Sequence, residues 1–413
     1  MSASRGQCAS PTDRFGSLGK PCRPFENDDQ ETNSPMKFTT TAIHVGQDPD
    51  PSTGSTVPPI HLTTTYTQES PAKHKGYEYS RSANPTRDNL EAVLAALEGG
   101  QACAAFASGL AATNAVFHTL RPGDNVLAFG DVYGGTFRLL ERVFKHWGLE
   151  ARFTDDPDPE SFKKLIDKHT KLLWIETPTN PLLRVLDIKA LADVAHNSGA
   201  KMAVDNTFAT PALQQPLALG ADYVIHSTTK YIGGHSDVIG GAVIVKNAAD
   251  LEPISFYQNA AGGIPGPFDV YLAHRGLKTL SIRMERHCRN AARLAEHLTG
   301  HAKLEHVIYP GLPNHPDHAL TRKQMCAPGG MVSIVVKGGR DGAYRFCERT
   351  KLFSLAESLG GVESLVCHPA AMTHASIPRE IREARGVTDG LVRLSVGIED
   401  ADDLIADLEQ ALS

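Results

Sequence analysis

The sequence predicts a two-domain α/β protein, and three observations carry that prediction. Between Ala102 and Val245, seven short apolar runs alternate with stretches whose apolar residues recur at helical spacing. After about residue 280 the texture changes to one long amphipathic helix followed by short alternating strands. Before residue 84 the chain is rich in Thr, Pro and Tyr and poor in helix formers, which reads as an extended arm.

Strands that alternate with helices imply a largely parallel sheet covered on both faces. The expected strands are C-A-A-F-A, N-V-L-A-F, A-R-F-T, K-L-L-W-I-E, K-M-A-V-D, D-Y-V-I-H and G-A-V-I-V, with helical segments at Thr136 to His146 and Pro159 to Lys168. The long helix, Thr279 to Leu298, carries Arg283, Arg286, Arg289 and Arg293 among apolar positions. M-V-S-I-V-V-K, L-F-S-L-A and V-R-L-S-V-G then predict a smaller, antiparallel sheet, and a last helix starts at Ala401. The expected divisions are a tail (1–35), an arm (36–83), a large domain (84–281) and a small domain (282–413).

A chain of 413 residues, 41% hydrophobic and 21% charged, has ample material for real cores. Its net charge of −6 argues against a nucleic-acid or anionic-membrane partner. No apolar run approaches the roughly 20 residues a bilayer span needs. Cys8, Cys22, Cys103, Cys288, Cys326, Cys347 and Cys367 stand singly, without a C-x-x-C pair, which fits a reducing, cytoplasmic setting. Residues 1–35 are rich in Ser, Pro, Gly, Asn and Asp and predict disorder. They lack the apolar core of a secretory signal, and Met36 offers an alternative start.

Chemistry concentrates at the ends of the predicted strands. Lys230 follows D-Y-V-I-H, with Ser227 and Thr229 before it, and Asp205 ends K-M-A-V-D with Thr207 close behind. An amine and a carboxylate at neighbouring strand ends are what a pyridoxal phosphate (PLP) enzyme needs, one to bond the cofactor's aldehyde and one to hold its ring nitrogen. Gly109 follows a strand and opens a helix, where free amides bind phosphate, although small residues also open helices for packing. Tyr133, in a loop after a strand, can stack on a ring or simply pack. Asn180, in E-T-P-T-N-P, can bond a ring oxygen, though Thr-Asn-Pro is also ordinary turn chemistry.

A nicotinamide-dependent dehydrogenase is the competing reading for such a sheet. No G-x-G-x-x-G follows the first strand, and no G-x-x-x-x-G-K-[ST] occurs anywhere. His315 and His318 in N-H-P-D-H have a spacing compatible with a metal, but the prolines make the segment a surface loop and no metal is expected.

Taken together, Y-S-R-S-A-N-P-T, D-V-Y-G-G-T, E-T-P-T-N-P, V-D-N-T-F, H-S-T-T-K-Y-I-G-G-H-S-D, E-S-L-G-G-V-E-S-L and M-T-H-A-S resemble the PLP-dependent transsulfuration enzymes from about Thr39 to Leu412. That resemblance implies PLP fold type I, the aspartate-aminotransferase-like architecture, and a homotetramer of two catalytic dimers. It implies that Tyr79 and Arg81 reach the phosphate of a neighbouring subunit. Gly109 and Leu110 would give amides to the phosphate, and Ser227 and Thr229 hydroxyls. Tyr133 would stack on the ring and protonate the departing sulfur. Asp205 would hold the pyridine nitrogen, and Lys230 would form the internal aldimine and shuttle protons. Arg393 would bind the substrate carboxylate with help from Ser358 and Asn180, and Glu357 would meet the distal ammonium of cystathionine.

The activity the resemblance implies is that of a cystathionine γ-lyase, with cystathionine γ-synthase as the alternative. Gly135 stands where methionine γ-lyases carry a cysteine, which counts against that activity. Cystathionine β-lyases usually lack the glutamate that Glu357 resembles.

Overall fold

The computed structural model describes residues 36–375 and 377–413; the expected tail, with Cys8 and Cys22, lies outside them. The arm opens with a short helix, α1 (Phe38–His44), where an extended segment was expected. Phe38 and Ala42 are buried on this turn, and apolar contact outweighs the weak helix propensity of its threonines. Beyond α1 the arm runs without further helix or strand as far as Asn84.

Helix α2 (Pro85–Glu98) shows how local sequence fixes an element. The Asn84 side chain accepts from Thr86 N at 2.9 Å, Pro85 occupies the first helical position, and Gly99 closes the helix at φ 70°. Leu90, Val93, Leu94 and Leu97 form one stripe at spacings of three and four and are all buried. Each contributes about 1.5–3 kcal/mol by leaving water.

All seven expected strands form one sheet: β1 (Ala102–Phe106), β2 (Asn125–Phe129), β3 (Glu150–Thr154), β4 (Thr170–Glu176), β5 (Lys201–Asp205), β6 (Tyr223–His226) and β7 (Gly241–Val245). Their order is β1-β7-β6-β5-β4-β2-β3. The run from β3 to β6 is parallel, while β7 lies antiparallel between β6 and β1. Apolar clusters cover both faces, one around Leu94, Ile175 and Val204, the other around Phe106, Trp174 and Ile225. The helix expected over Thr136 to His146 is instead an α-turn, α3 of the chain being Gly109–Phe117 and α4 Gly134–Arg138, continued by a π-turn (Leu139–Val143) and a 3₁₀ turn (Phe144–Trp147).

The long helix forms at Leu280–Leu298. Its Arg283 is buried and donates to Tyr231 O at 2.6 Å, Ile232 O at 3.3 Å and Gly276 O at 2.8 Å. It thus ties the helix to the turn that follows Lys230. Gly234, at φ 73°, leaves room for this guanidinium, because a Cβ there would lie 2.1 Å from Arg283 Nη1.

The second sheet contains β8 (Leu304–Ile308), β9 (Met331–Val336), β10 (Ser354–Leu355), β11 (Leu365–Cys367) and β12 (Leu391–Ser395), in the order β10-β11-β12-β9-β8. It is antiparallel as expected except for the parallel β10/β11 pair. Strands β8 and β11 were not anticipated: β8 carries charged and histidine residues, and β11 is only three residues long. The N-H-P-D-H segment is not a surface loop throughout. His315 is buried, with Nδ1 accepting from Asp317 N at 3.1 Å, and His318 begins a helix. Among the described residues no His, Cys, Asp and Glu cluster is arranged to hold a metal.

Candidate active site

The site lies beyond the carboxyl ends of β4, β5 and β6, where parallel sheets collect ligands. Parallel pairing sets Glu176 opposite Asp205 and Asp205 opposite Ile225, so the residues that follow these strands converge. A cleft of about 260 Å³ opens there. Gly109, Leu110, Tyr133, Asn180, Asp205, Thr207, Ser227, Thr229, Lys230, Glu357, Ser358 and Arg393 all line it, so twelve of the fourteen residues singled out in the sequence meet in one place.

Lys230 sits in the turn after β6 and donates from Nζ to Ser358 Oγ at 2.8 Å. Burial, reinforced by the Arg393 charge, pushes its ammonium down to about 8, while Glu357 pulls the other way. Ser358 holds φ 83°, an unusual conformation for a residue with a side chain. That conformation lets one residue serve both neighbours, because its carbonyl accepts from Arg393 Nη2 at 2.8 Å.

Arg393 comes from β12, where it pairs with Ser333 of β9 and Cys367 of β11. It is 1% exposed, and Nη1 donates to Asn180 Oδ1 at 2.9 Å. Its Nε is buried and has no protein partner. The Asn180 segment is itself gripped by the second sheet's side of the molecule: Ser333 Oγ donates to Pro181 O at 2.7 Å, and His374 Nε2 lies 3.1 Å from Asn180 O.

Asp205 accepts from Thr207 N at 3.0 Å, and Thr207 Oγ1 in turn accepts from Ser227 N at 2.9 Å. Burial raises the Asp205 carboxyl, opposed by its bonds from Thr207 and by the His226 charge. Behind it His226 Nε2 lies 2.5 Å from Glu98 Oε1, with both side chains fully buried. Thr229 Oγ1 accepts from Gly240 N at 3.0 Å.

At the other end of the cleft, Ser108 caps α3 by accepting from Ala111 N at 3.0 Å. Gly109 opens the helix, and a Cβ there would stand 2.8 Å from Ser227 Cβ, so only glycine leaves this corner open.

Sequence reasoning missed Glu176. It is buried and receives Tyr133 N on both carboxylate oxygens, at 2.9 and 2.8 Å, and Thr136 Oγ1 at 3.3 Å. The available signal was an acidic residue closing the apolar run Leu172 to Ile175, as Asp205 closes the run of the neighbouring strand. Tyr79 and Arg81 do not line the cleft of their own chain; they stack on each other at 5.6 Å with Tyr79 45% exposed.

These groups fit PLP. There is a glycine-lined helix N-terminus for a phosphate, a half-buried carboxylate for a ring N–H, an amine of lowered basicity for an aldehyde, and an unspent buried guanidinium nitrogen for a carboxylate.

Known proteins agree with that fit. The chain is 51% identical over 382 residues to a protein of Coxiella burnetii named cystathionine beta-lyase, covering 92% of this chain and 99% of that one. It is 53% identical over 375 residues to a Mycobacterium tuberculosis cystathionine gamma-synthase, covering 90% and 96%. The solved cystathionine gamma-lyase of Lactobacillus plantarum, complexed with L-serine, superimposes with a TM-score of 0.89 at 46% identity, over 91% of this chain and 98% of that one. The architecture is therefore PLP fold type I. The family model described as Cys/Met metabolism PLP-dependent enzyme matches residues 39–413, and the chain belongs to that family.

Proposed function

We propose that this PLP-dependent enzyme acts at the γ-carbon as a cystathionine γ-lyase, releasing cysteine, 2-oxobutanoate and ammonia. The observation that carries the reading is the Lys230–Ser358–Arg393 chain, with Glu357 at the same cleft. It joins an amine of lowered basicity to a guanidinium whose Nε is still free, and it puts an acidic group within the substrate's space.

In this reading the amides of Gly109 and Leu110 and the hydroxyls of Ser227 and Thr229 hold the phosphate, and Tyr133 lies over the ring. Asp205, steadied by Thr207, accepts the ring N–H. Bound PLP supplies the electron sink. Arg393 takes the substrate carboxylate in two-point fashion, with Asn180 and Ser358 fixing the guanidinium plane. Lys230, as the neutral amine that its lowered basicity favours near neutral pH, would remove the proton from Cα, pass it on, and so be free to take one from Cβ. Tyr133 donates a proton to the departing sulfur. Glu357 pairs with the distal ammonium of cystathionine.

Tyr79 and Arg81 lie exposed on the arm, which supports a phosphate contact to a second copy and a homotetramer of two catalytic dimers. Mixing Lys230→Ala with Arg81→Ala chains should restore activity that neither has alone. The division into arm (36–83), large domain (84–281) and small domain (282–413) belongs to the same proposal, supported by the change of sheet between β7 and β8. Buried, unpaired Cys103, Cys288, Cys347 and Cys367 support a reducing, cytoplasmic location. Among the described residues no helix is long and apolar enough to cross a membrane.

A γ-synthase reading is favoured by the 53% identity to the mycobacterial protein of that name. Comparing kcat/KM for cystathionine alone with kcat/KM for O-succinyl- or O-acetylhomoserine plus cysteine separates the two. A wide advantage for the acylated homoserines overturns the lyase assignment.

A further inference from the structure

We propose that Glu176 is a positioning residue for Tyr133: its carboxylate clamps the tyrosine's backbone and so aims the phenol over the cofactor ring. The inference rests on the roles given to Tyr133 above and adds what holds that ring in place.

The geometry is specific. Tyr133 N–H points at a carboxylate whose two oxygens are nearly equidistant, at 2.9 and 2.8 Å, and Thr136 Oγ1 adds a second bond to the same group at 3.3 Å. Both donors belong to the first turn of α4, a helix whose Tyr133 N-cap makes no side-chain capping bond. Glu176 therefore anchors the start of this helix from another strand, through the N-cap N–H and the Thr136 hydroxyl. The ring it aims has little freedom on one flank, since a Cβ on Gly135 would lie 2.4 Å from Tyr133 Cε1. The other flank opens into the cleft, where Tyr133 is 38% exposed. A shift of the backbone at residue 133 is thus transmitted directly to the phenol.

Glutamate is needed for reach. Glu176 ends β4 and the Tyr133 loop follows β2, the neighbouring strand, so the side chain must span from one strand end to the next loop. Its position opposite Asp205 is electrostatically awkward: burial and the Asp205 charge both push its carboxyl well upward. A buried carboxylate beside the one that serves the cofactor persists where it does a separate job, and the bonds to Tyr133 and Thr136 are that job.

The test separates reach from charge in the PLP-loaded enzyme. Glu176→Asp keeps the carboxyl but withdraws its oxygens, whereas Glu176→Gln keeps an oxygen within reach and cannot ionise. The readouts are kcat/KM on cystathionine, PLP dissociation followed by fluorescence, and visible-region circular dichroism of bound PLP, which reports the asymmetry imposed by a stacked ring. Glu176→Asp and Glu176→Ala should lower kcat/KM on the order of ten- to a hundredfold and weaken the dichroic band, as expected for leaving the Tyr133 backbone donor unpaired. Glu176→Gln should stay within a few-fold of the parent. In a Tyr133→Ala background, removing Glu176 should add less than about threefold, because the residue acts through the tyrosine. Aspartate outperforming glutamine, or undiminished losses in the Tyr133→Ala background, overturns the inference while leaving Tyr133's role intact. A Tyr133→Ala enzyme with normal kcat/KM and an unchanged dichroic band overturns that role, and this inference with it. If Glu176→Ala does not fold, the aspartate and glutamine pair decides.

Discussion

Lys230 and Arg393 are joined by a single residue: Ser358 accepts from Lys230 Nζ on its hydroxyl at 2.8 Å and from Arg393 Nη2 on its carbonyl at 2.8 Å. The amine comes from the turn after β6 and the guanidinium from β12, so this residue couples the two sheets at the reacting centre. It does so at φ 83°, where side chains are strained.

Replacing Ser358 separates the strain from the bond. Ser358→Gly relieves the backbone and loses the hydroxyl; Ser358→Ala loses the hydroxyl and keeps the strain. The glycine variant should be the more stable of the two by about 1 kcal/mol, read from denaturant midpoints. Both should lose kcat, because each frees Lys230.

Lys230 should set the pH at which apoenzyme takes up PLP. Its ammonium is pushed down to about 8, so the neutral amine that attacks an aldehyde increases as pH rises through that value. The rate of covalent uptake, followed by absorbance, should climb with a midpoint near pH 8 and level off above it. Glu357 favours the charged amine, so Glu357→Gln should move the midpoint downward.

Gly135 should tolerate no side chain without moving Tyr133, since a Cβ would fall 2.4 Å from its ring. Gly135→Ala and Gly135→Cys should lower kcat/KM on cystathionine by about tenfold or more, given how steeply rate depends on the placement of reacting groups. Preserved activity with a displaced ring in a crystal structure would remove Tyr133 from the mechanism.

Arg283 should matter for stability more than its distance from the cleft suggests. Arg283→Met strands the carbonyls of Tyr231, Ile232 and Gly276 that the guanidinium now serves. The expected loss is about 3 kcal/mol or more, measured by chemical denaturation. PLP uptake should also slow, because two of those carbonyls follow Lys230 directly.

The large sheet was legible because most of its strands are built on continuous apolar runs, the pattern of elements buried on both faces; the edge strand β3, with Glu150 and Arg152, is the exception. Lys230 and Asp205 were legible for the same reason: each polar residue stands where such a run stops. Arg393 was not, apart from the family likeness, because its meaning depends on β12 pairing with β9, some sixty residues earlier in the chain. Glu176 escaped notice because it was read only as the last residue of the strand K-L-L-W-I-E, and only the parallel register sets it against Asp205. His315 was misjudged because flanking prolines suggested exposure, whereas the packed side chain is buried. The segment after α4 broke expectation where the α-helical ladder gives way to π and 3₁₀ turns, a change in hydrogen-bond partner that apolar spacing does not encode.

The fixed guanidinium of Arg393 has a stereochemical consequence. If the carboxylate is held there as proposed, with the amino group directed to the cofactor aldehyde and Lys230 reaching Cα from one side, three attachment points are defined around Cα. An L-amino acid presents its hydrogen to the lysine. Its mirror image, bound by the same two anchors, presents its side chain instead and turns the hydrogen away. Handedness would thereby be decided by the placement of a guanidinium on one sheet and a neutral amine beyond the end of a strand of the other, before any pocket has touched the side chain.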